Sequence, residues 1–184
     1  AAIGLANLGI PPLLHTRVGD DPFGKSILSV LDKHGVPLDY VESDTEAMTS
    51  LAFVQYDTDS TPHFTFYRHE TADTRLQPGK ISPGTLAEVE WVHVTGVLLA
   101  SESSRSALLS LMEEARDADC QISFNPNTRP QLWEDTESLE RDINDALELA
   151  DVVIATPDDF ELLGMAVEDP TNLATTLCDR GPHS

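Results

Sequence analysis

Lysine, cysteine and long apolar runs are scarce in this chain of 184 residues. Eleven basic residues, only three of them lysines, face 32 acidic ones, which gives a net charge of −21. A surface of this sign repels nucleic acid and anionic membranes, so the sequence predicts neither as a partner. No apolar run approaches the ~20 residues that a membrane helix needs. The two cysteines lie far apart without metal-type spacing, which favours a reduced, cytoplasmic protein.

The acidic excess is spread along the whole chain and forms no separate tail. A negative, lysine-poor surface suits molar salt, where the Debye length shrinks to about 3 Å. We therefore expect a protein from a high-salt organism, with a merely acidic protein as the alternative. The length is near that of one domain. The chain opens with Ala-Ala-Ile-Gly rather than Met, which is compatible with a processed or incomplete start.

Strand and helix patterns alternate along most of the chain, which predicts an α/β fold. Such alternation implies an open, mostly parallel sheet with helices on both faces. Strands are predicted at residues 13–18, 91–95, 121–124 and 152–154, and helices at 1–8, 23–34, 103–118, 139–150, 158–163 and 171–179. Asp21 followed by Pro22 is a good N-cap and first-turn pair for the second of these helices.

Residues 37–76 have a different character. Three short strand-like runs, at 39–42, 50–56 and 63–68, follow one another with no helix between them. They predict a small antiparallel β flap attached to the main sheet, although the middle run could instead join that sheet. The whole chain, residues 1–184, is interpreted as part of one α/β domain that carries this flap.

Three predicted strands end in polar loops, which are Gly19-Asp20-Asp21, Asn125-Pro-Asn-Thr-Arg129 and Ala155-Thr-Pro-Asp-Asp159. The carboxyl ends of parallel strands meet at one edge of a sheet, where ligands bind. Asn side chains both donate and accept hydrogen bonds, and the Arg fork suits carboxylate or phosphate. The loops therefore predict a shared ligand site, with ordinary polar turns as the alternative.

These segments resemble the PfkB family of ribokinase-like carbohydrate kinases, in order and over essentially the whole chain. The N-terminal signature is carried by Ala2, Gly9 and Gly19, followed by Asp-Asp-Pro-Phe-Gly24. Tyr67-Arg68 and Ala72-Asp73 are similar to the family segment that covers the sugar. Residues 124–133, Phe-Asn-Pro-Asn-Thr-Arg-Pro-Gln-Leu-Trp, are similar to the Asp-Pro-Asn-x-Arg…Leu-Trp segment of fructokinase-like members.

The resemblance implies an ATP-dependent kinase that phosphorylates a hydroxyl of fructose or a related sugar, with Mg²⁺. By this resemblance the flap closes over the sugar and pairs two subunits as a homodimer. The substrate-binding residues implied are Tyr67, Arg68, Asp73 and Asn127. Arg129 is the implied catalytic residue, beside the transferred phosphate.

An Asn-x-x-Glu motif organises magnesium and phosphate in this family, and its two ends fall on Thr156 and Asp159. The resemblance therefore implies Asn125, Thr156 and Asp159 on the ATP side, with Asp159 as metal ligand. Both motif residues are substituted, but Thr can still hydrogen-bond and Asp retains the carboxylate that a hard cation prefers.

The family's catalytic Asp lies in a Gly-Ala-Gly-Asp motif, and no Gly-x-Gly-Asp occurs in these 184 residues. We therefore expect the chain to be a portion of a kinase of about 300 residues, a size that the resemblance implies, and to be inactive alone. The alternatives are a 2-keto-3-deoxygluconate kinase, in which Arg68 and Arg129 would grip a carboxylate, a nucleoside kinase, and a non-catalytic sugar-binding module. A dinucleotide-binding fold is disfavoured because no Gly-x-Gly-x-x-Gly follows a strand.

Several of these side chains also have simpler interpretations. Arg68 suits a surface ion pair, Tyr67 suits the core of the flap, and Asp73 suits a turn. Asp20 and Asp21 are better helix caps than metal ligands.

Overall fold

The computed structural model describes residues 1–161, 174–175, 177–178 and 182. The chain divides into two compact units, Ala1–Leu76 and Gln77–Ser184. Each unit contains parallel strands joined through a helix, which confirms the predicted α/β class.

The first unit is built on a pair of parallel strands, β1 (Thr16–Gly19) and β2 (Val41–Asp44). Helix α1 (Ala2–Asn7) precedes them, and helix α2 (Pro22–Lys33) connects them. β1 was predicted to begin at residue 13 but begins at Thr16, where the amide N–H donates to the carbonyl oxygen of Tyr40 at 3.3 Å. The ladder starts there because β2 offers partners only from that point.

An antiparallel hairpin follows, formed by β3 (Leu51–Tyr56) and β4 (Pro62–Tyr67). The prediction that the run at 39–42 belongs to the antiparallel insert was wrong, because β2 pairs in parallel with β1. The middle run, which was left open, lies in the hairpin. The antiparallel part of the first unit therefore consists of two strands.

Helix α2 begins and ends as its sequence predicts. The Asp21 carboxylate accepts a hydrogen bond from the Gly24 amide at 2.8 Å, and Pro22 occupies the first turn. Gly35 follows the helix with φ of +72°, a left-handed conformation that glycine adopts without a Cβ clash.

The second unit contains a three-stranded parallel sheet in the order β5 (Trp91–Thr95), β6 (Gln121–Asn125), β7 (Val152–Val153). Its helices are α3 (Pro83–Leu86), α4 (Glu102–Asp117), α5 (Thr136–Leu147) and α6 (Pro157–Glu161). Because neighbouring parallel strands are joined by right-handed crossovers, α4 and α5 are expected on one face of this sheet.

The core of the second unit lies between this sheet and those two helices. Ile122 and Phe124 of β6 belong to one buried cluster with Met112 of α4 and Ile143 of α5. Trp91 alternates to the opposite face of β5, where 52% of its surface is exposed. In both strands, the period-2 pattern thus sends alternate side chains to the core and to the opposite face of the sheet.

No helix in the described part of the chain is long and apolar enough to cross a bilayer. The helix predicted at residues 171–179 lies for the most part outside the described residues.

Candidate active site

The loop that leaves β6 carries three of the predicted site residues, Asn125, Asn127 and Arg129. Asn125 is the last residue of β6, and Pro126 is fully buried after it. Asn127 has φ of +41°, a left-handed conformation that asparagine adopts more readily than most non-glycine residues. Thr128 is buried, whereas Arg129 is half-buried. The backbone therefore turns sharply at Asn127, and two neighbouring segments support the loop on either side of it.

The first support comes from the end of β5. Gly96 follows β5 and is buried against the backbone of Pro126. A Cβ at position 96 would overlap the Pro126 carbonyl oxygen and lie 3.1 Å from its Cα. Only glycine allows the two segments to approach this closely.

The second support comes from the segment after β7. The Thr128 amide donates to Asp159 Oδ1 at 2.7 Å, and the Thr128 hydroxyl donates to the Asp159 carbonyl oxygen at 3.3 Å. Thr156 donates to Asp159 Oδ2 twice, from its amide at 2.9 Å and from its hydroxyl at 2.8 Å. Asp159 therefore joins the loop after β6 to the first turn of α6.

These bonds bear on the predicted metal role of Asp159. Three hydrogen bonds from the protein occupy its two carboxylate oxygens, and the residue is only 7% exposed. Among the described residues, no group of three or more His, Cys, Asp or Glu side chains could hold a metal ion. As placed here, Asp159 does not fit a magnesium ligand, since such an ion keeps several waters and needs open oxygen donors.

Arg129 is tied back to the same loop, since its Nη1 donates to the carbonyl oxygen of Thr128 at 2.7 Å. A short 3₁₀ turn, Pro130–Leu132, leads on to Trp133. The Trp133 indole N–H donates to Asp142 Oδ2 at 3.2 Å, and Arg105 donates to Asp142 Oδ1 at 2.7 Å. The Arg…Leu-Trp part of the motif thus has a structural basis: Trp133 fastens the loop to α5, and Arg105 fastens α5 to α4.

The predicted substrate residues of the first unit also gather. Arg68 Nε and Asp73 Oδ2 form an ion pair at 2.5 Å, and Thr71 donates to the other Asp73 oxygen at 2.7 Å. The Arg68 side chain is only 7% exposed, and its Nη2 is buried without a hydrogen-bond partner among the described residues. Arg68 therefore forms an ion pair, as its simpler interpretation predicted, but the pair is largely buried rather than on the surface. Arg68 still retains a donor for a ligand oxygen.

Tyr67 ends the hairpin strand next to Arg68, with 62% of its surface exposed. Its ring packs edge-on against Phe53, with ring centroids 5.7 Å apart. The alternative that Tyr67 belongs to a buried flap core is wrong, because neither ring is enclosed.

The base of the hairpin is held by a residue that the sequence patterns did not single out. The Thr49 amide donates to Asp21 Oδ2 at 2.7 Å, and its hydroxyl donates to Asp21 Oδ1 at 3.0 Å. The backbone N–H of Thr49 is the main reason that the pKa of the Asp21 carboxyl lies below its usual range, and the Gly24 amide adds to the effect. Asp21 therefore caps α2, as predicted, and also fixes the segment that leads into β3.

The structure thus brings the predicted residues together in two groups, one in each unit. The phosphate-side residues Asn125, Arg129, Thr156 and Asp159 belong to the second unit, as does Asn127 of the predicted substrate-binding residues, whereas Tyr67, Arg68 and Asp73 belong to the first. The sequence patterns missed Gly96, Thr128 and Asp142. A glycine directly after a strand was the available signal for Gly96, whereas Thr128 and Asp142 act through partners distant in the chain.

The fold has close counterparts among solved structures. A PfkB protein from Polaromonas sp. JS666 superposes with a TM-score of 0.87 at 30% identity, over 98% of this chain and 61% of that one. A fructokinase from Xylella fastidiosa, solved with bound ATP, gives a TM-score of 0.85 at 25% identity, over 98% of this chain and 55% of that one. The architecture is therefore the ribokinase-like α/β fold with a small β flap, as the sequence predicted.

Sequence comparison agrees with the structural likeness. The profile of the pfkB family carbohydrate kinases matches residues 1–179. A fructokinase from Klebsiella pneumoniae is 36% identical over 152 residues, which cover 83% of this chain and 49% of that protein. The chain belongs to the pfkB family of carbohydrate kinases. It spans about half the length of the curated relatives it matches, 49% in this case and 55% in another.

Proposed function

We propose that the whole protein is an ATP-dependent kinase that phosphorylates a hydroxyl of fructose or a closely related sugar. The observation that carries the proposal is the loop Asn125–Arg129, which two neighbouring segments hold in one conformation at the carboxyl end of β6. Several relatives are named fructokinases, and a similar kinase was solved with ATP. Both facts support ATP as the phosphate donor and a ketose as the acceptor.

Phosphoryl transfer needs little covalent chemistry from the protein, since positioning and charge stabilisation supply most of the rate. The sugar oxygen bonds to the γ-phosphorus, the bond to the bridging oxygen of ADP breaks, and the hydroxyl proton passes to a general base. We assign Arg129 to the charge that develops on the transferred group, with Asn125 and Asn127 as donors around the sugar and the phosphates. The exposed Thr156 hydroxyl gives its proton to Asp159 and can only accept from a ligand. Magnesium stays a prediction for the whole protein, and no step here depends on it.

The general base is expected in the Gly-Ala-Gly-Asp motif, which these 184 residues lack. We therefore propose that the chain alone binds sugar but does not turn it over. A non-catalytic sugar-binding module is the competing function, and it rests on the same observation.

The acceptor is assigned from the contacts of Arg68. Because Asp73 already neutralises the guanidinium, the pair offers a buried N–H without a net positive charge. A neutral sugar hydroxyl suits such a donor better than a carboxylate, which favours an unpaired cation. This arrangement favours fructose over 2-keto-3-deoxygluconate.

The test is an ATP-coupled assay of the full-length protein with fructose, 2-keto-3-deoxygluconate, ribose and adenosine, in molar KCl. We expect fructose to give the highest kcat/KM. Arg129→Ala should lower kcat by about 10²- to 10³-fold, the usual effect of removing one charge-stabilising donor. Arg116→Ala, which changes an exposed arginine of α4, is the matched control and should retain activity.

Other results would redirect the proposal. Sugar binding without phosphorylation by the full-length protein would establish the binding module. A preference for 2-keto-3-deoxygluconate would contradict the assignment of Arg68, and a preference for adenosine would make the protein a nucleoside kinase.

We also propose that two copies of the protein associate through the β3–β4 hairpin. One face of the hairpin is entirely apolar and is formed by Ala52, Val54, Tyr56, Pro62, Phe64 and Phe66, as the register shows. All of these except Phe66 are exposed, with Tyr56 at 70%. An apolar face of this kind is a common site of subunit association.

The two faces of the hairpin provide a matched pair of variants. Val54→Lys changes the apolar face, whereas Thr65→Lys changes the opposite face, where Thr65 pairs with Phe53. In light scattering of the full-length protein, we expect Val54→Lys to shift a dimer towards monomer and Thr65→Lys to leave it unchanged. A monomeric wild-type protein would contradict the proposal.

We further propose that the protein works in a cytoplasm of high salt. Its 32 acidic residues repel one another, and molar KCl screens that repulsion down to a Debye length of about 3 Å. The two cysteines are free, and Cys120 is buried, as a reducing compartment permits. We expect Tm to rise between 0.1 and 3 M KCl, whereas a Tm independent of KCl would contradict the proposal.

A further inference from the structure

We propose that Asp159 is a positioning residue for Arg129, which it acts on through Thr128, rather than a ligand of magnesium. This inference rests on the proposed kinase function and on the failure of Asp159 to fit a metal ligand. Its carboxylate faces backbone and hydroxyl donors of the protein, and those found in the described part of the chain belong to Thr128 and Thr156.

The position of Thr128 in the loop allows it to transmit the constraint from Asp159 to Arg129. Thr128 lies between Asn127, whose φ is +41°, and Arg129. Its amide and its hydroxyl both bond to Asp159, at 2.7 Å and 3.3 Å. Because two bonds hold one residue, its orientation as well as its location is fixed.

Thr128 also holds the guanidinium of Arg129. Arg129 Nη1 donates to the Thr128 carbonyl oxygen at 2.7 Å. The backbone of Thr128 therefore links the two residues: its N–H bonds to the Asp159 carboxylate, and its carbonyl oxygen accepts from the Arg129 guanidinium. A misplacement of about 1 Å of a positioned group can cost a reaction about 10²-fold in rate. Loss of the Asp159 carboxylate should thus lower activity without any change in the metal requirement.

The burial of Asp159 supports this role. A carboxylate that is 7% exposed needs hydrogen bonds to offset its desolvation, and N–H and O–H donors provide them here. In Asp159→Asn the side chain keeps its size, but one of its two polar atoms becomes a donor. Either the Thr128 amide or the Thr156 donors then face an N–H, so the junction between the two segments weakens.

The test uses the full-length protein in a double-mutant cycle of Asp159→Asn and Arg129→Ala. We expect Asp159→Asn to lower kcat by about 10- to 100-fold. In the Arg129→Ala background the same change should cost less than about 2-fold, because residues that act through one another are not additive. Asp158→Asn, a change of the same charge at the exposed neighbouring position, should retain activity and serves as the control.

Magnesium titration separates the two roles of Asp159. For a positioning residue, the half-saturating Mg²⁺ concentration of Asp159→Asn should stay within about 2-fold of wild type, since no ligand is lost. A large rise in that concentration, with kcat restored by excess Mg²⁺, would overturn the proposal. The proposal would also be overturned if Asp159→Asn lowered kcat by the same factor in the wild-type and in the Arg129→Ala background.

Hydrogen exchange supplies a readout that does not need catalysis. The Thr128 amide should exchange at least about 10-fold faster in Asp159→Asn than in wild type or Asp158→Asn, because its hydrogen-bond acceptor is disturbed. Unchanged exchange would refute the contact on which the inference rests. If no sugar is phosphorylated, the proposed function fails, whereas the exchange experiment still decides whether Asp159 holds the loop.

A second variant covers the case in which Asp159→Asn does not fold. Thr128→Val removes only the hydroxyl that donates to the Asp159 carbonyl oxygen at 3.3 Å. Thr128→Val should also lower kcat, but by a smaller factor than Asp159→Asn. This loss should again be seen only while Arg129 is present. A Thr128→Val protein with the kcat of wild type would contradict the proposal.

Discussion

Gly96→Ala is the substitution whose effect the structure defines most closely. Gly96 is not in a left-handed conformation, so the substitution changes packing and leaves the backbone dihedral preference satisfied. The new Cβ would overlap the Pro126 carbonyl oxygen and lie 3.0 Å from its carbonyl carbon. Both atoms belong to the backbone of a fully buried residue, so they cannot move aside as a flexible side chain would.

Overpacking of this kind costs about 1–3 kcal/mol. Because the relatives are about twice as long as this chain, a loss of about 2 kcal/mol should lower the Tm of the full-length protein by about 3 °C. The Pro126 backbone also begins the loop that carries Arg129, so kcat should fall together with Tm. We would measure both in the full-length protein, by thermal unfolding and by the ATP-coupled assay.

Gly84→Ala is the matched control, because an added Cβ there meets only Ser82 Oγ, at 3.7 Å. Gly84 lies in α3, where alanine stabilises a helix by about 0.5–1 kcal/mol relative to glycine. We expect its Tm to be unchanged or slightly raised and its kcat to be normal. If Gly96→Ala matched Gly84→Ala in both measurements, the close packing of Gly96 on Pro126 would be refuted.

Two further predictions concern the carboxylates of Asp21 and Asp142. The pKa of Asp21 is lowered in the folded protein, mainly by the Thr49 amide. The ionised Asp21 carboxylate therefore stabilises the fold above the unfolded pKa of about 3.9, and this stabilisation is lost as the pH falls below that value. Asp21→Asn should therefore lower the Tm at pH 7 but converge with wild type at acid pH, and a constant difference at all pH values would contradict this account. Asp142→Ala leaves Arg105 and Trp133 without their acceptor. We expect the free energy of unfolding to fall by about 2–4 kcal/mol, somewhat less than for a fully buried pair because Arg105 is 27% exposed. The fluorescence emission of Trp133 should also shift to the red. An unshifted spectrum would indicate that Trp133 does not depend on this contact.

Much of the fold could be predicted because local signals agreed with the final packing. The strand at residues 91–95 was predicted with its observed bounds, since Trp-Val-His-Val-Thr alternates and a glycine ends it. Asp21 and Pro22 located the start of α2. The motif after β6 marked the loop at the sheet edge, because Asn, Pro and Arg together are typical of a ligand-binding turn.

The remaining features depend on contacts between distant parts of the chain. Short strands do not reveal their partners, so the run at 39–42 was assigned to the flap although β2 pairs with β1. The contact between Asp159 and Thr128 joins residues 31 apart in the chain. A family resemblance could point to the position of Asp159, but only the structure shows which groups its carboxylate faces.

The scarcity of lysine has a practical consequence at the boundary between the two units. Lys25 and Lys33 lie within α2, whereas Lys80, the third lysine of the chain, lies in the exposed segment 77–80 just after the boundary. A protease specific for lysine acts on exposed, extended backbone in preference to helices. Among the lysines of this chain, brief digestion should therefore cut first at Lys80, next to the boundary between the two units.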